Sequence, residues 1–354
     1  MSWKHIQIGS LLQPVPKTKK VPSSAYQQTG YTPIVDQSKK EIAGYTSNPK
    51  ARFESPLPVV LFGDHTRVLK YLETPFARGA QGTQVLITDP QQVLPRYLFY
   101  ALHKVDLSSY GYARHFKYLK EQSIPVPPIH VQQSIIDRLR AYDAMIQNNK
   151  RRMTLLEESL HLLYQKWFVL LHFPGHETKC VSGFPKGWKK CTVDSILTKL
   201  PRLPTISKKA YQTQGSIPII DQSSTFIGGY TDNQAALYDQ PLPLIVFGDH
   251  TRILKFIDFP FARGADGTQL IYPNQQLSPQ LLYCALSHID LSSFGYTRHL
   301  KHLKAESIWV PPKKINQLFD VHATPILRQI HTLRMQNKNL HKTQKILIAK
   351  LIQN

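Results

Sequence analysis

The sequence predicts a mixed α/β (α+β) protein in which two homologous globular domains are separated by two long helices that pair as an antiparallel coiled coil. Three observations carry that expectation: a long internal duplication, apolar runs punctuated by glycine and proline within each copy, and an unbroken heptad seam after each copy. A chain of 354 residues exceeds the roughly 250–300 at which a single core stops growing, so more than one domain is expected. Hydrophobic residues at 42% and charged residues at 19% supply sizeable cores and exclude a disordered chain.

The duplication comes first. Pro56 to Gln84 reappears 185 residues later as Pro241 to Gln269, with 20 of 29 positions identical. The match includes Phe62-Gly63-Asp64-His65-Thr66-Arg67 against Phe247-Gly248-Asp249-His250-Thr251-Arg252. The same offset aligns Trp3 with Trp188, Asp36-Gln37-Ser38 with Asp221-Gln222-Ser223, and Gly44-Tyr45-Thr46 with Gly229-Tyr230-Thr231. After one deletion the offset becomes 184 and aligns Arg114-His115 with Arg298-His299 and Pro127-Pro128 with Pro311-Pro312. A unit of about 125 residues is too long for a solenoid repeat and suits a domain. Within it, Pro58-Val59-Val60-Leu61-Phe62 reads as a buried strand, and Tyr97 to His103 as a short helix.

Each unit is followed by a segment of another kind. Ile135, Leu139, Tyr142, Ile146, Asn149, Met153, Leu156, Leu160, Leu163, Trp167 and Leu170 alternate steps of four and three, as do Phe319, Ala323, Ile326, Ile330, Leu333, Asn337, Leu340, Gln344, Leu347 and Leu351. Neither helix can bury its seam alone, so the two are expected to pair, with Asn149 and Asn337 available to fix register. Pro325 is expected to bend the second helix near its start. The division that follows is 1–128, first globular domain; 129–172, first long helix; 173–185, linker; 186–312, second globular domain; and 313–354, second long helix.

Forty-four Lys and Arg against 23 Asp and Glu leave a net charge of +21, which favours a polyanionic partner, nucleic acid first. The excess is spread: +8 over 1–128, +2 over 129–185, +4 over 186–312 and +7 over 313–354. Binding of that kind weakens steeply with salt. No apolar run approaches the ~18 residues of a membrane span, and the N-terminus lacks a secretory pattern, so a cytoplasmic protein is expected. Cys180, Cys191 and Cys284 form no short Cys-x-x-Cys pair and are expected as reduced, unligated thiols, with no metal site.

No phosphate-binding P-loop, His-Glu-x-x-His, Gly-x-Ser-x-Gly or dinucleotide fingerprint is present, nor the Asn/Asp-Pro-Pro-Tyr/Phe motif of amino-methyltransferases, so no catalytic residue is assigned. Asp64-His65 and Asp249-His250 could serve as an acid–imidazole pair. The alternative is that Asp64 caps a turn while His65 and Arg67, with His250 and Arg252 in the second copy, face outward toward DNA. Two glycines frame a small polar loop at Arg78-Gly79-Ala80-Gln81-Gly82 and again at Arg263-Gly264-Ala265-Asp266-Gly267. Such a loop can lie against phosphates with Arg78 or Arg263 as anion partner, or simply be a tight turn. Stronger candidates are Arg114, His115, Lys117 and Lys120, and Arg298, His299, Lys301 and Lys304. At steps near three they can share one face, with Tyr112, Tyr118 and Tyr296 interleaved. Arg suits bidentate contact with guanine or phosphate, and Lys supplies charge; a merely solvated basic face stays the bland alternative.

Read in order, these words resemble the DNA-specificity subunits of type I restriction-modification systems over essentially the whole chain. The order is head, Ile124-Pro125-Val126-Pro127-Pro128, Gln132 and a long helix, Lys166-Trp167-Phe168 at its end, Pro185-Lys186-Gly187-Trp188 opening the second head, then Val310-Pro311-Pro312 and a second helix. The resemblance implies that the heads are target recognition domains, each reading half of a bipartite double-stranded DNA site. It implies that the paired helices set the spacing and dock adenine methyltransferase (modification) subunits, two of them, alongside restriction/translocase subunits. S-adenosylmethionine, ATP and magnesium would sit on those partners and none on this chain, with no membrane involved. Heads of this family usually diverge, whereas these are closely alike, which suggests a nearly palindromic target; Gln81 against Asp266 and Ala113 against Thr297 can still alter one base. The second helix has no counterpart of Lys166-Trp167-Phe168. Two other readings stay open: the specificity chain of a motor-less combined restriction-methylation enzyme, and a basic coiled-coil scaffold that binds RNA or protein.

Overall fold

The computed structural model describes residues 3–79, 81–111, 113–176, 180–181, 184–295 and 297–352. In chain order the elements of the first copy are β1 (Lys4–Gln7), α1 (Ile8–Leu11), β2 (Thr32–Val35), β3 (Gly44–Thr46), β4 (Arg52–Phe53), β5 (Val59–Gly63), β6 (Leu69–Leu72), β7 (Phe76–Arg78), β8 (Thr83–Leu86), α2 (Pro95–Leu102), α3 (His115–Glu121) and β9 (Ser123–Val126). The long helix α4 (Ile129–Tyr164) and a short hairpin, β10 (Cys180–Val181) with β11 (Phe184–Pro185), come next. The second copy holds β12 (Lys189–Thr192), β13 (Ile217–Ile220), β14 (Gly229–Thr231), β15 (Leu237–Tyr238), β16 (Leu244–Gly248), β17 (Leu254–Ile257), β18 (Phe261–Arg263), β19 (Thr268–Ile271), α5 (Pro279–His288), α6 (Leu300–Ala305) and β20 (Ser307–Val310). The long helix α7 (Lys313–Leu351) ends the order.

The duplication is one of topology as well as sequence. Each copy has a four-stranded sheet, β3-β2-β7-β4 or β14-β13-β18-β15, a three-stranded sheet, β6-β5-β8 or β17-β16-β19, and an antiparallel pair joining its ends, β1-β9 or β12-β20. The parallel pairing inside the larger sheet matches residue for residue: Ile34 faces Ala77, and Ile219 faces Ala262. The strand read from Pro58 to Phe62 is β5, shifted by one residue to Val59–Gly63, and all five of its residues are buried. The all-apolar run works there because both faces of β5 are covered, Val60 and Phe62 in one core cluster and Val59 and Leu61 in another.

By contact density the chain divides into two units, Met1–Asn148 with Gln336–Asn354, and Asn149–Met335, so both long helices contribute to both. In the first unit the helices run antiparallel, with Gln344 Nε2 donating to Asp143 Oδ1 (2.6 Å) and Asn337 Nδ2 donating to the Ile146 carbonyl (3.3 Å). In the second they are again antiparallel: Arg334 meets Glu157 at 3.6 Å, and Trp167 packs on Phe319 with ring centroids 5.9 Å apart. The helices also complete the head cores. Ile135, Ile136, Leu139, Ile348 and Ile352 join Tyr97, Leu98 and Phe62 in the first core, while Leu160, Tyr164, Trp167, Phe168, Phe319 and Ala323 join Phe247 and Leu282 in the second. Pairing and packing on the heads are therefore one structure, not the alternatives that the seams suggested.

One detail of the seams differs from the expectation. Leu170, the last seam position of the first helix, is 56% exposed. Gln165–Val169 form a π-helical turn, whose extra residue shifts the phase, so Trp167 and Phe168 turn inward and Leu170 does not. Pro325 lies inside α7 without ending it. Among the described residues no helix is long and apolar enough to cross a membrane, and no group of His, Cys, Asp or Glu could hold a metal ion. Cys191 and Cys284 are free thiols.

Candidate functional site

In each head three loops are drawn into one cluster by a glutamine that sequence reasoning passed over. In the first head Gln37 follows β2. Its Nε2 donates to the Gln81 carbonyl (3.1 Å), its Oε1 accepts the His65 N–H (3.0 Å), and its own carbonyl accepts the Thr66 hydroxyl (2.6 Å). In the second head Gln222 bonds the Asp266 carbonyl (2.8 Å), the His250 N–H (3.1 Å) and the Thr251 hydroxyl (2.6 Å) in the same way. The signal available in the sequence was the repeat itself, Asp36-Gln37-Ser38 against Asp221-Gln222-Ser223. Glycine is required beside this clamp. Gly82 and Gly267 have φ of +85° and +83°, and a Cβ at either would stand 2.7 or 2.5 Å from the glutamine Nε2.

A second link ties the cluster to the basic helix. The Asp64 carboxylate accepts the Phe116 N–H (2.8 Å), and its carbonyl accepts both the His115 N–H (2.8 Å) and His115 Nδ1 (2.9 Å). Asp249 does the same for Leu300 N–H (2.8 Å), His299 N–H (2.8 Å) and His299 Nδ1 (3.0 Å). An acid at a helix N-terminus satisfies an orphan N–H and the helix dipole together. Asp64 and Asp249 thus each cap a helix across about fifty residues of chain.

The sequence-predicted residues now separate by environment. His115 and His299 are buried, 1% and 2% exposed, with the ring Nε2 atoms on the Gly111 (3.1 Å) and Phe294 (3.4 Å) carbonyls. They hold the loops together and do not line a surface, so the expected run of Arg, His and Lys on one face loses its histidines. Arg78 and Arg263 are half-buried and donate to Thr18 (3.1 Å) and Thr205 (3.0 Å and 2.6 Å), so these guanidiniums are used inside the fold. Lys304 pairs with Asp194 at 2.8 Å. Arg67, Arg114, Lys117, Lys120, Arg252, Arg298 and Lys301 are exposed, and His65 and His250 are half-buried. Lys120 rests over the Phe116 ring at 5.1 Å, and Arg252 Nη1 donates to the Leu291 carbonyl (3.0 Å). Ala80, Tyr112 and Tyr296 lie outside the described residues.

Arg67 and Arg252 share a further property. Both are in the left-handed region, with φ of 59° and 60°, at the turn after β5 and its counterpart β16. Left-handed backbone costs an L-residue roughly 1–2 kcal/mol, and glycine would avoid it. An arginine kept there in both copies indicates that its side chain has a use that backbone comfort does not supply. Chemically the cluster offers guanidinium and ammonium groups for phosphates or base edges on a backbone fixed by the glutamine clamp.

Known proteins are similar to this chain in sequence and in fold. Residues 2–158 match the family model described as type I restriction modification DNA specificity domain. The chain is 26% identical over 268 residues to the type I restriction enzyme MjaIX specificity subunit of Methanocaldococcus jannaschii, a match over 66% of this chain and 60% of that protein. This chain therefore spans less than two thirds of that relative's length. In fold it is similar to the S subunit of a type I restriction-modification system from M. genitalium, with a TM-score of 0.56 at 14% identity over 99% of this chain and 96% of the other. With the duplicated heads and paired helices already in view, the chain is similar in sequence to type I restriction-modification DNA specificity subunits, over residues 2–158 by the family model and over 66% of its length by the relative, and similar in fold to an S subunit.

Proposed function

We propose that this chain is the DNA-binding specificity subunit of a type I restriction-modification complex, in which each head reads one half of a bipartite duplex site and directs adenine methylation and cleavage by partner subunits. The supporting observation is the recurrence in both heads of one clamped loop cluster carrying exposed arginine and lysine. In this reading 1–128 and 186–312 are the target recognition domains, 129–172 and 313–354 the spacer helices, and 173–185 the linker. The DNA-facing groups are His65, Arg67, Arg114, Lys117 and Lys120 in the first head and His250, Arg252, Arg298 and Lys301 in the second. The chain is non-catalytic. Two adenine methyltransferase subunits bind S-adenosylmethionine and receive the flipped adenine, and restriction/translocase subunits use ATP and magnesium. The close likeness of the heads supports a nearly palindromic target, and the complex works in the cytoplasm.

Binding of duplex DNA by the chain, alone and with its modification subunits, tests this reading at several salt concentrations. Specific complexes exceed non-specific ones by typically 10³–10⁷-fold, so sequence preference should rise sharply when the partner is added. Mapping methylated adenines in cells carrying both should return two half-sites at a fixed gap. A chain that gains no preference with its partner is a scaffold, and the proposal fails. Two unrelated half-sites would end the near-palindrome reading alone.

A further inference from the structure

Position 81 in the first head and 266 in the second occupy the same place in two otherwise equivalent loops. Of the nine differences between Pro56–Gln84 and Pro241–Gln269, five exchange one aliphatic side chain for another, and the others include Tyr71 against Phe256 and Glu73 against Asp258. Only Gln81 against Asp266 replaces a neutral amide by a carboxylate, and both residues are exposed. Their backbone, by contrast, is held on both sides. The residue 81 or 266 carbonyl is bonded by the glutamine clamp (3.1 and 2.8 Å), and the following glycine carbonyl accepts the Asp64 or Asp249 N–H (2.7 Å in each head). Two heads therefore present different hydrogen-bonding groups from one fixed platform, in the loop cluster that the glutamine clamp holds together.

The exchange has a specific chemical meaning at a base edge. A glutamine amide donates and accepts at once, which matches N7 and the N6 amino group of adenine in the major groove; a carboxylate only accepts, which matches the N4 amino group of cytosine. An exposed carboxylate is also a poor neighbour for phosphate, so its place in a head with net positive charge suits an amino donor better than the backbone. We propose that Gln81 and Asp266 are specificity-determining residues, reading adenine in one half-site and cytosine at the equivalent position of the other, so that the two half-sites differ at this base pair. This inference rests on the DNA-specificity reading of the heads.

The test is selection of bound sites from randomised duplex DNA by the full chain with its modification subunits, using wild type, Gln81→Asp, Asp266→Gln and Asp266→Asn. Thermal unfolding of each variant serves as the folding control, and unchanged midpoints are expected because both side chains are exposed. Gln81→Asp is expected to shift one base of one half-site from adenine toward cytosine by roughly tenfold or more, with the other half-site and the gap unchanged. Asp266→Gln should do the reverse in the other half-site, and Asp266→Asn should lose the cytosine preference. Unchanged selected sites in all variants, or a change in affinity that is uniform over sequences, overturn the inference while leaving the DNA-specificity reading standing. A wild-type complex that selects no bipartite site overturns both.

Discussion

Arg67 shows how a single backbone angle separates stability from function. Its left-handed conformation costs roughly 1–2 kcal/mol, while a glycine in its place loses more chain entropy on folding, roughly 0.5–1 kcal/mol. Arg67→Gly should therefore leave stability unchanged or raise it by up to about 1.5 kcal/mol, and at the same time weaken DNA binding. A denaturation midpoint and a titration on the same preparation check this; parallel losses of both would show that the side chain serves the fold. Lys255 gives a second prediction. It is 5% exposed and donates to the Asp221 (2.7 Å) and Thr225 (2.6 Å) carbonyls, and burial lowers its pKa to about 8, against the pull of Asp221 in the other direction. The unfolded chain holds this proton up to its ordinary value of 10.5. Between about 8 and 10.5 the unfolded state thus binds more protons, and folding stability gains as pH rises through that window. Unfolding midpoints measured from pH 7.5 to 10 should climb in wild type and flatten in Lys255→Met; equal slopes would count against a buried, readily deprotonated Lys255. Neither property was legible in the sequence. A left-handed arginine carries no local mark when glycine is absent, and Lys255 becomes buried only because β13 and its following loop supply carbonyls from some thirty residues away. The basic character of Arg114, Lys117 and Lys120 was legible, whereas the burial of His115 depended on the carbonyl of Asp64.

At the scale of elements, one amide fixes the start of the helix against the first head. Gln132 is fully buried on the first turn of α4, and each part of it is used: Oε1 accepts the Leu94 N–H (2.9 Å), and Nε2 donates to the Gln92 (2.9 Å) and Pro127 (2.8 Å) carbonyls. Leucine fills similar volume but leaves three backbone groups without that partner, at roughly 1–3 kcal/mol each where water cannot reach. Gln132→Leu should lower stability by about 3 kcal/mol or more. Gln133→Leu, which removes only an exposed bond to Asp137, should cost a few tenths. Chemical denaturation of the two variants side by side decides it, and equal midpoints would refute that role. The second head repeats the Leu94 bond, with Asn316 Oδ1 accepting the Ser278 N–H (3.3 Å), but a further link between head and helix is not shared. In the first, Tyr100 and Arg96 both bond Asp143 of α4, whereas the places aligned with these three in the second are Cys284, Gln280 and Leu327, of which Cys284 and Leu327 border a cavity of ≈ 320 Å³. The helices themselves were legible because a period of 3.5 survives in any sequence that keeps an apolar seam. Their dual burial, against each other and inside the head cores, was not, since periodicity reports that a face is covered and says nothing about what covers it. The order of strands was equally hidden: the parallel β2–β7 pair joins residues more than forty apart, beyond any local pattern.

For the whole molecule the decisive quantity is charge, +21 over 354 residues, with the first head at +8 and the second at +4. Part of that imbalance sits beside the glutamine clamp, where Lys39-Lys40 of the first head stand in place of Ser224-Thr225 of the second, all four exposed. Sequence symmetry allows the contribution of these lysines to be isolated by moving the second head's residues into the first. On duplex DNA each neutralised phosphate contributes about −0.9 to the slope of log affinity against log salt. If both lysines meet phosphate, Lys39→Ser with Lys40→Thr should reduce the magnitude of the slope by roughly 1.8, with affinity weakened almost equally for every sequence. Base preference should stay where it was, because charge without bidentate geometry positions the duplex and does not read it. The measurement is a set of binding isotherms for the full chain at 50 to 200 mM salt, with a cognate and a scrambled duplex. An unchanged slope would place Lys39 and Lys40 away from the DNA. A wild-type slope near zero would remove the polyanion from the account altogether, because a surface this basic cannot bind a duplex without releasing its counterions.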